Sequence, residues 1–360
     1  MICERRIGGE MEISPADFSA AGGVSAWPDF VGYEQMHCDT GRTALRLALE
    51  DWHCKTNGRG RVWAPDYLCS SVFRAIINQG ISLATYIDLP GAVSMIMPPT
   101  PEDDDLVLIV HYFGKLNTSA LAWLDGYPER CWRVLEDCVQ SPYSKGVGAT
   151  GEYAITSLRK WWPVPDGAAL YSALPLLNSD LVQPDENFIS QRLAAKILRT
   201  TGCSESRYLA WIQASEAMLD TSPPRKCSWL SEQLLSGVDK TTALARRRAN
   251  WQFIHARLHG GVGKCVGISS LYEELLNGEV PLIYPIQVAQ GHRDRLRAWL
   301  AEHHIYCPIH WNLTESASPA ASRLSEKILS IPIDQRYDEK DMVKIIGALT
   351  ENGISTRRSR

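Results

Sequence analysis

The chain has 360 residues, 45% apolar and 22% charged, enough to bury a sizeable core and to divide it between two lobes. A formal net charge of -4 and a pI near 6.2 give no cationic surplus of the kind that neutralises a phosphate backbone, which argues against nucleic acid as a partner. No uncharged apolar run approaches the roughly 18 residues of a membrane helix, and Met1 to Gly9 carries Arg5 and Arg6 without the apolar core of a leader. Ten cysteines without a Cys-x-x-Cys pair argue against zinc ribbons and thioredoxin-like chemistry, so the expectation is a cytoplasmic protein with reduced thiols and no metal site.

The first strong periodic segment begins at Thr43, where Leu45, Ala48, Leu49 and Trp52 share one helical face; Thr40-Gly41-Arg42-Thr43 reads as the loop feeding that helix. Strand and helix then alternate. Arg61 to Ala64 predicts a strand, Ser70 to Asn78 a helix, Ser82 to Ile87 a strand, and Leu106 to Val110 a fully apolar strand. Arg133 to Leu135, Tyr153 to Ile155 and, after a Pro-Val-Pro-Asp-Gly turn, Ala168 to Tyr171 repeat the short buried pattern. Short apolar strands alternating with helices imply a mostly parallel α/β sheet covered on both faces.

Residues 178 to 258 carry long helical patterns and many charges, and read as helices joining two lobes. Beyond them, strands at Leu282 to Val288, Ile305 to His310 and Ile328 to Ile331, with helices at Arg293 to Glu302 and Glu339 to Leu349, predict a smaller α/β lobe. The division is a large domain over 1–235 and a small one over 236–360. The Ser/Arg-rich tail from Ser355 to Arg360 is expected to be disordered.

Three elements lie at the ends of predicted strands or the start of a helix, where an open α/β sheet places its ligands. Asp137 follows an apolar strand directly, where a carboxylate is costly unless it meets a cation. Ser157 and Lys160 follow the next strand. The Gly41-Arg42-Thr43 loop opens a helix whose free N–H groups suit a phosphate. One ligand would use all three: a phosphate for the loop and Ser157, a protonated ring nitrogen for Asp137, and an aldehyde for Lys160. Taken singly, each has a plainer reading: Asp137 a cap or ion-pair partner, Lys160 a solvated surface lysine, the loop an ordinary N-cap.

At these residues the sequence resembles the DegT/DnrJ/EryC1/StrS aminotransferases, pyridoxal-phosphate enzymes of fold-type I. The resemblance runs through Ile7-Gly8-Gly9-Glu10, Gly41-Arg42-Thr43, Ala64-Pro65-Asp66-Tyr67 and Val110-His111-Tyr112-Phe113-Gly114. It is strongest over Glu136-Asp137-Cys138-Val139-Gln140, Ser157-Leu158-Arg159-Lys160 and Asp166-Gly167, and returns at Pro308-Ile309-His310-Trp311 and Ile331 to Tyr337. Residues 172 to 280 match poorly.

By this resemblance the cofactor is pyridoxal 5'-phosphate, bound as a Schiff base on Lys160. Asp137 holds the pyridine nitrogen protonated, Gln140 lies near the ring, and Ser157 with Gly41, Arg42 and Thr43 holds the phosphate. Arg42 either pairs with the phosphate or points to solvent. The position expected to stack on the ring falls on Cys69, so Tyr67 or another aromatic must serve. The Ser157–Lys160 spacing is shorter than the family's, Gly167-Ala168 replaces Gly-Gly, and the family's Asn-Tyr-Arg segment has no clear counterpart near Ser204 to Tyr208. His111 and His310 are candidate substrate contacts, with a hydrogen-bonded core histidine as the alternative for His111.

Arg246-Arg247-Arg248 reads as a substrate-anion site or, more simply, the solvated face of a linking helix; Trp161-Trp162 reads as a substrate wall or as packing. The resemblance implies transfer of an amine from an amino-acid donor, glutamate, to a keto acceptor, a nucleotide-linked keto-sugar, in a homodimer with its active site at the interface. The rivals are a pyridoxal-phosphate enzyme acting on a non-sugar ketone or amino-acid-derived substrate, and a non-catalytic scaffold or regulator on the same fold. A sugar dehydratase, which carries histidine at the lysine position, is disfavoured by Lys160.

Overall fold

A computed structural model describes residues 5–18, 23–91, 100–177, 180–202, 205–219, 222–313 and 317–351; the expected disordered tail and Ser204 lie outside them. After a short strand β1 (Ile7–Gly8), the chain enters strand β2 (Glu34–Cys38) and helix α1 (Gly41–Lys55). The four residues expected on one face of α1 are all buried, and Thr40 caps the helix by accepting the Thr43 N–H. There follow β3 (Val62–Pro65), α2 (Ser70–Ile77), β4 (Leu83–Tyr86), β5 (Leu106–Val110), α3 (Thr118–Leu124), β6 (Arg133–Asp137), β7 (Tyr153–Ser157) and β8 (Ala168–Ser172).

These strands form a seven-stranded sheet in the order β2-β8-β7-β6-β5-β3-β4. The run from β4 to β7 is parallel, while β8 is antiparallel to β7 and β2 antiparallel to β8. β5 to β8 are buried at every position except Arg133, which is why they read as continuous apolar runs. β2, at the edge and largely exposed, has no such run and is missing from the sequence-based expectation.

The two antiparallel steps return β2 to the direction of β7. Ser157, Ala168 and Cys38 therefore lie in one row across the sheet, with Asp137 beside Ile155 on the next strand. The carboxyl ends of β6 and β7 and the start of α1 thus meet at one edge.

The middle of the chain supplies α4 (Glu186–Thr200), α5 (Glu205–Met218), α6 (Trp229–Ser236), α7 (Lys240–Arg257) and the short α8 (Gly263–Val266). α7 links the lobes: Ala243 packs in the core of the large sheet, Trp251 and Ile254 in the second core. That second core is built on β9 (Ile268–Ser270), β10 (Tyr284–Val288), α9 (Arg293–Glu302), β11 (Ile305–Tyr306), β12 (Ile328–Ile331) and α11 (Glu339–Glu351), while α10 (Pro319–Lys327) packs Ala321 into the core of the large sheet. Its sheet, ordered β12-β10-β9, is antiparallel. β1 pairs in parallel with β11, and Ile7 belongs to the second core, so the first residues of the chain cross to the C-terminal lobe. No helix of the described residues is long and apolar enough to cross a membrane.

Candidate active site

A cavity of about 830 Å3 opens where the carboxyl ends of β6 and β7 face the second lobe. Asp137, the last residue of β6, lines it and is buried. Its Oδ1 accepts the Val139 N–H at 3.0 Å. Burial pushes the Asp137 carboxyl up even though the charge of Lys160 and the Val139 N–H pull it down, so a cation closer than Lys160 would find an acceptor that gains by pairing. Lys160 sits in a single 3-10 turn directly after β7 and reaches the same cavity, and its ammonium has no hydrogen-bond acceptor among the described residues.

The start of α1 forms another part of the cavity wall. Thr40 turns the chain, and Gly41 brings its backbone against β7: a Cβ there would lie 3.3 Å from the Cβ and 3.8 Å from the Oγ of Ser157. A larger residue would intrude on the space in front of Ser157. Gly41, Arg42 and Ser157 line the cavity. Thr43 does not: its N–H goes to Thr40 Oγ1 and its hydroxyl donates to Asp39 Oδ1 at 2.5 Å, because Thr43 locks the helix cap rather than facing a ligand. The Arg42 side chain pairs with Glu216 at 3.1 Å.

Gln140 lines the cavity with its amide fixed from one side, Oε1 accepting the Phe113 N–H at 2.9 Å. Its Nε2 is buried with no partner, a donor left for a ligand atom. Cys69 also lines the cavity, at the start of α2, but offers no ring face. Tyr67 is not a wall of the cavity. It is fully buried beneath it, donating its hydroxyl to the His310 carbonyl and packing on Tyr112 and Trp311, so Trp311 is the aromatic residue of this cluster that reaches the cavity.

His310 does line the cavity, with Nδ1 2.8 Å from Ser330 Oγ. Burial, reinforced by the nearby charge of Lys160, lowers its imidazole to about 3, which keeps it neutral. His111 is the core histidine. It is wholly buried, Nε2 lying 2.7 Å from Glu136 and Nδ1 accepting the Asn117 N–H. Glu136 also accepts N–H groups from Gly148, Thr150 and Gly151, so although Cys138 stands close by, this carboxylate is already filled by protein donors.

Trp161 and Trp162 are packing: both are buried, Tyr143 meets Trp161 edge-on at 5.1 Å, and Trp162 donates to the Tyr143 hydroxyl. The Asp166-Gly167 turn is also structural. Asp166 accepts from Ser228 and Ser231 at the start of α6, and Gly167, at φ +119, donates its N–H to the Asp39 carbonyl.

The poorly matched middle segment supplies what residue-by-residue reading missed. Arg192 of α4 is 1% exposed and pairs with Glu10 and, at 2.7 Å, with Glu216; Lys196 pairs with Glu10 at 3.0 Å. Arg159 completes the group on Glu216. The signal was present in the spacing, since Arg192, Lys196 and Arg199 recur on one helical face, and all three are buried. Arg247, read from the sequence only as one of the Arg246-Arg247-Arg248 run, is 1% exposed and lines the cavity, so the solvated-face reading fails for it.

No family model and no curated protein sequence matches the chain. Solved structures do. The aminotransferase TlmJ from Streptoalloteichus hindustanus is 16% identical, with 96% of this chain and 98% of that one covered at a TM-score of 0.62. The putative sugar aminotransferase Spr1654 from Streptococcus pneumoniae, in its PLP form, is 12% identical, with 96% and 98% covered at 0.65. A DegT DnrJ EryC1 StrS aminotransferase from Brucella abortus is 19% identical, with 90% and 87% covered at 0.54. Over nearly its whole length, the chain has the fold of these aminotransferases.

Proposed function

We propose that this protein is a pyridoxal-phosphate-dependent aminotransferase that binds its cofactor covalently through Lys160. The observation that carries the reading is the meeting, on one cavity, of an unpartnered lysine, a buried Asp137 and a helix start pressed against Ser157. Each fits a different part of one cofactor, and the unpartnered Nε2 of Gln140 supplies a donor beside them.

Bound there, pyridoxal phosphate would supply an electron sink for the carbon that carries the substrate nitrogen. The chain's own residues do the rest. Asp137 keeps the proton on the ring nitrogen by charge pairing in a dry site. The N–H groups of Gly41 and Arg42 and the hydroxyl of Ser157 hold the phosphate at the positive end of α1. Lys160, as a free amine on the same cavity, would be the base that takes the proton from the substrate carbon and the acid that gives it back to carbon. His310, neutral at working pH, can hydrogen-bond without repelling the lysine.

For the substrates we propose glutamate as donor and a nucleotide-linked keto-sugar as acceptor; the sugar aminotransferases among the similar structures support the sugar part of this reading. The same resemblance carries a homodimer, which light scattering of the purified protein tests. Reconstitution with pyridoxal phosphate followed by borohydride reduction should leave the label on Lys160; protein that gains no visible absorbance with the cofactor overturns the reading. A half-reaction screen of the aminated protein against keto-sugars and keto acids tests the acceptor, and cycling with keto acids alone overturns the sugar assignment.

A further inference from the structure

Glu216 answers three guanidinium groups at once, those of Arg42, Arg159 and Arg192. Arg192, 1% exposed, uses both terminal nitrogens on the carboxylates of Glu216 and Glu10, and Lys196 shares Glu10. Arg159 is placed differently. It lines the cavity together with Thr40, Gly41 and Ser157, and its Nη1 donates to Glu216 at 2.9 Å. Its Nε is buried without an acceptor, and its Nη2 makes no hydrogen bond among the described residues.

Nε and Nη2 form one edge of the planar guanidinium, two donors spaced for two oxygens of a single anion. Glu216 fixes that edge from the other side. It accepts Arg159 Nη1 and Arg192 Nη1 on one oxygen and Arg42 Nη2 on the other, which ties the edge to the first turn of α1. Leu158 is wholly buried, so Arg159 is the side chain between Ser157 and Lys160 that reaches the cavity. Arg192 also lines the cavity and also keeps a buried Nε without an acceptor, so this wall carries unsatisfied donors on two guanidinium groups. Buried donors left unpaired are costly, and an oxyanion would relieve that cost.

Resting on the reading of Lys160 as the cofactor lysine, we propose that Arg159 grips the cofactor's phosphate through its Nε and Nη2 edge, as a charged partner to the α1 start and Ser157. In pyridoxal phosphate the aldehyde and the phosphate-bearing methylene stand on neighbouring ring carbons, so a group that meets the phosphate must lie close to the lysine that meets the aldehyde. Arg159 is that lysine's immediate neighbour, and Lys160 stands only three positions after Ser157. The guanidinium supplies this short turn with two donors and a charge that a hydroxyl lacks. A phosphate on the acceptor is the other source of the same chemistry, and cofactor analogues separate the two.

Arg159→Gln and Arg159→Lys are compared with the unaltered protein, each stripped of cofactor and titrated by visible absorbance with pyridoxal phosphate and with pyridoxal, which lacks the phosphate. Absorbance gained by the unaltered protein is the control. Without it the parent reading falls, while Arg159 is still tested by inorganic phosphate, which should raise the urea midpoint of the unaltered protein and not that of Arg159→Gln. With the control met, Arg159→Gln should weaken pyridoxal phosphate roughly 30-fold and pyridoxal less than about 3-fold, and Arg159→Lys, which keeps the charge but not the edge, should recover part of the loss. Four results would each overturn the proposal: equal loss for pyridoxal, unchanged affinity for pyridoxal phosphate, an equal rise of the urea midpoint in Arg159→Gln, or a loss confined to uridine diphosphate, the probe for an acceptor phosphate. If Arg159→Gln does not fold, Arg159→Lys carries the comparison of the two cofactor forms.

Discussion

Arg159, the residue before Lys160, donates to one oxygen of Glu216 at 2.9 Å, and the other oxygen receives Arg42 from the first turn of α1 at 3.1 Å. One carboxylate on α5 thus ties the lysine turn to the start of α1. Burial raises this carboxyl, but Arg159 and Arg192 outweigh it and hold it below the usual range.

Replacing that carboxylate should loosen both ends at once. Glu216→Gln is expected to weaken pyridoxal-phosphate binding roughly 10-fold while the covalent link to Lys160 still forms at saturating cofactor. Because Glu216 is about one-third exposed, the loss of unfolding free energy should stay near 1–3 kcal/mol, below that of a fully buried pair. Absorbance titration and urea unfolding measure the two effects; unchanged cofactor affinity would remove the clamp.

Lys160→Ala should abolish borohydride-stable attachment altogether. Its side chain is exposed and makes no hydrogen bond among the described residues, so stability should change by no more than about 0.5 kcal/mol. Intact-mass measurement after reduction, together with urea unfolding, separates lost chemistry from lost fold.

For Asp137→Asn the chemistry should fail while the covalent link persists. An amide cannot keep the ring nitrogen charged, so the rate of proton removal from glutamate should fall by about 100-fold or more. Rapid-mixing absorbance in the donor half-reaction reads this directly, and a rate within a few-fold of the unaltered protein would count against the assignment.

His310 makes stability depend on pH in a definite direction. Its folded value, about 3, lies below the ordinary 6.5, so between these limits the unfolded chain binds a proton that the folded protein does not. Its contribution is therefore present above about 6.5 and is lost as pH falls toward 3. The slope of unfolding free energy against pH over that window should be shallower in His310→Gln, as urea titrations at several pH values would register.

His111 and Glu136 should prove structural. Glu136→Gln breaks a wholly buried pair and disturbs three backbone contacts, for an expected cost of about 3–5 kcal/mol in urea unfolding. Where the variant remains folded, the rate of the donor half-reaction should be near that of the unaltered protein.

Much of the architecture was legible because burial writes itself into composition. Leu106 to Val110 reads as an apolar run because both its faces are covered, and the α1 periodicity reports the face it buries. β2 was illegible for the converse reason: as an exposed edge strand it owes its place to backbone pairing with β8, which any side chains permit.

For the site, the local order of residues was enough to nominate Asp137, Ser157 and Lys160, since each closes or closely follows a strand whose end must face the ligand edge, while Gln140 came from the family resemblance. Which neighbours point with them was decided only by packing over long separations. Thr43 turns to Asp39, Tyr67 lies under the cavity floor, and His111 meets Glu136 in the core. Arg247 comes to rest over Trp161 because α7 spans both lobes, a relation between residues 86 positions apart that no local pattern carries. By itself the sequence determined the strand ends and the chemistry standing on them; the tertiary structure decided which charges are buried and which of these are paired, because desolvation and ion pairing depend on distances through space.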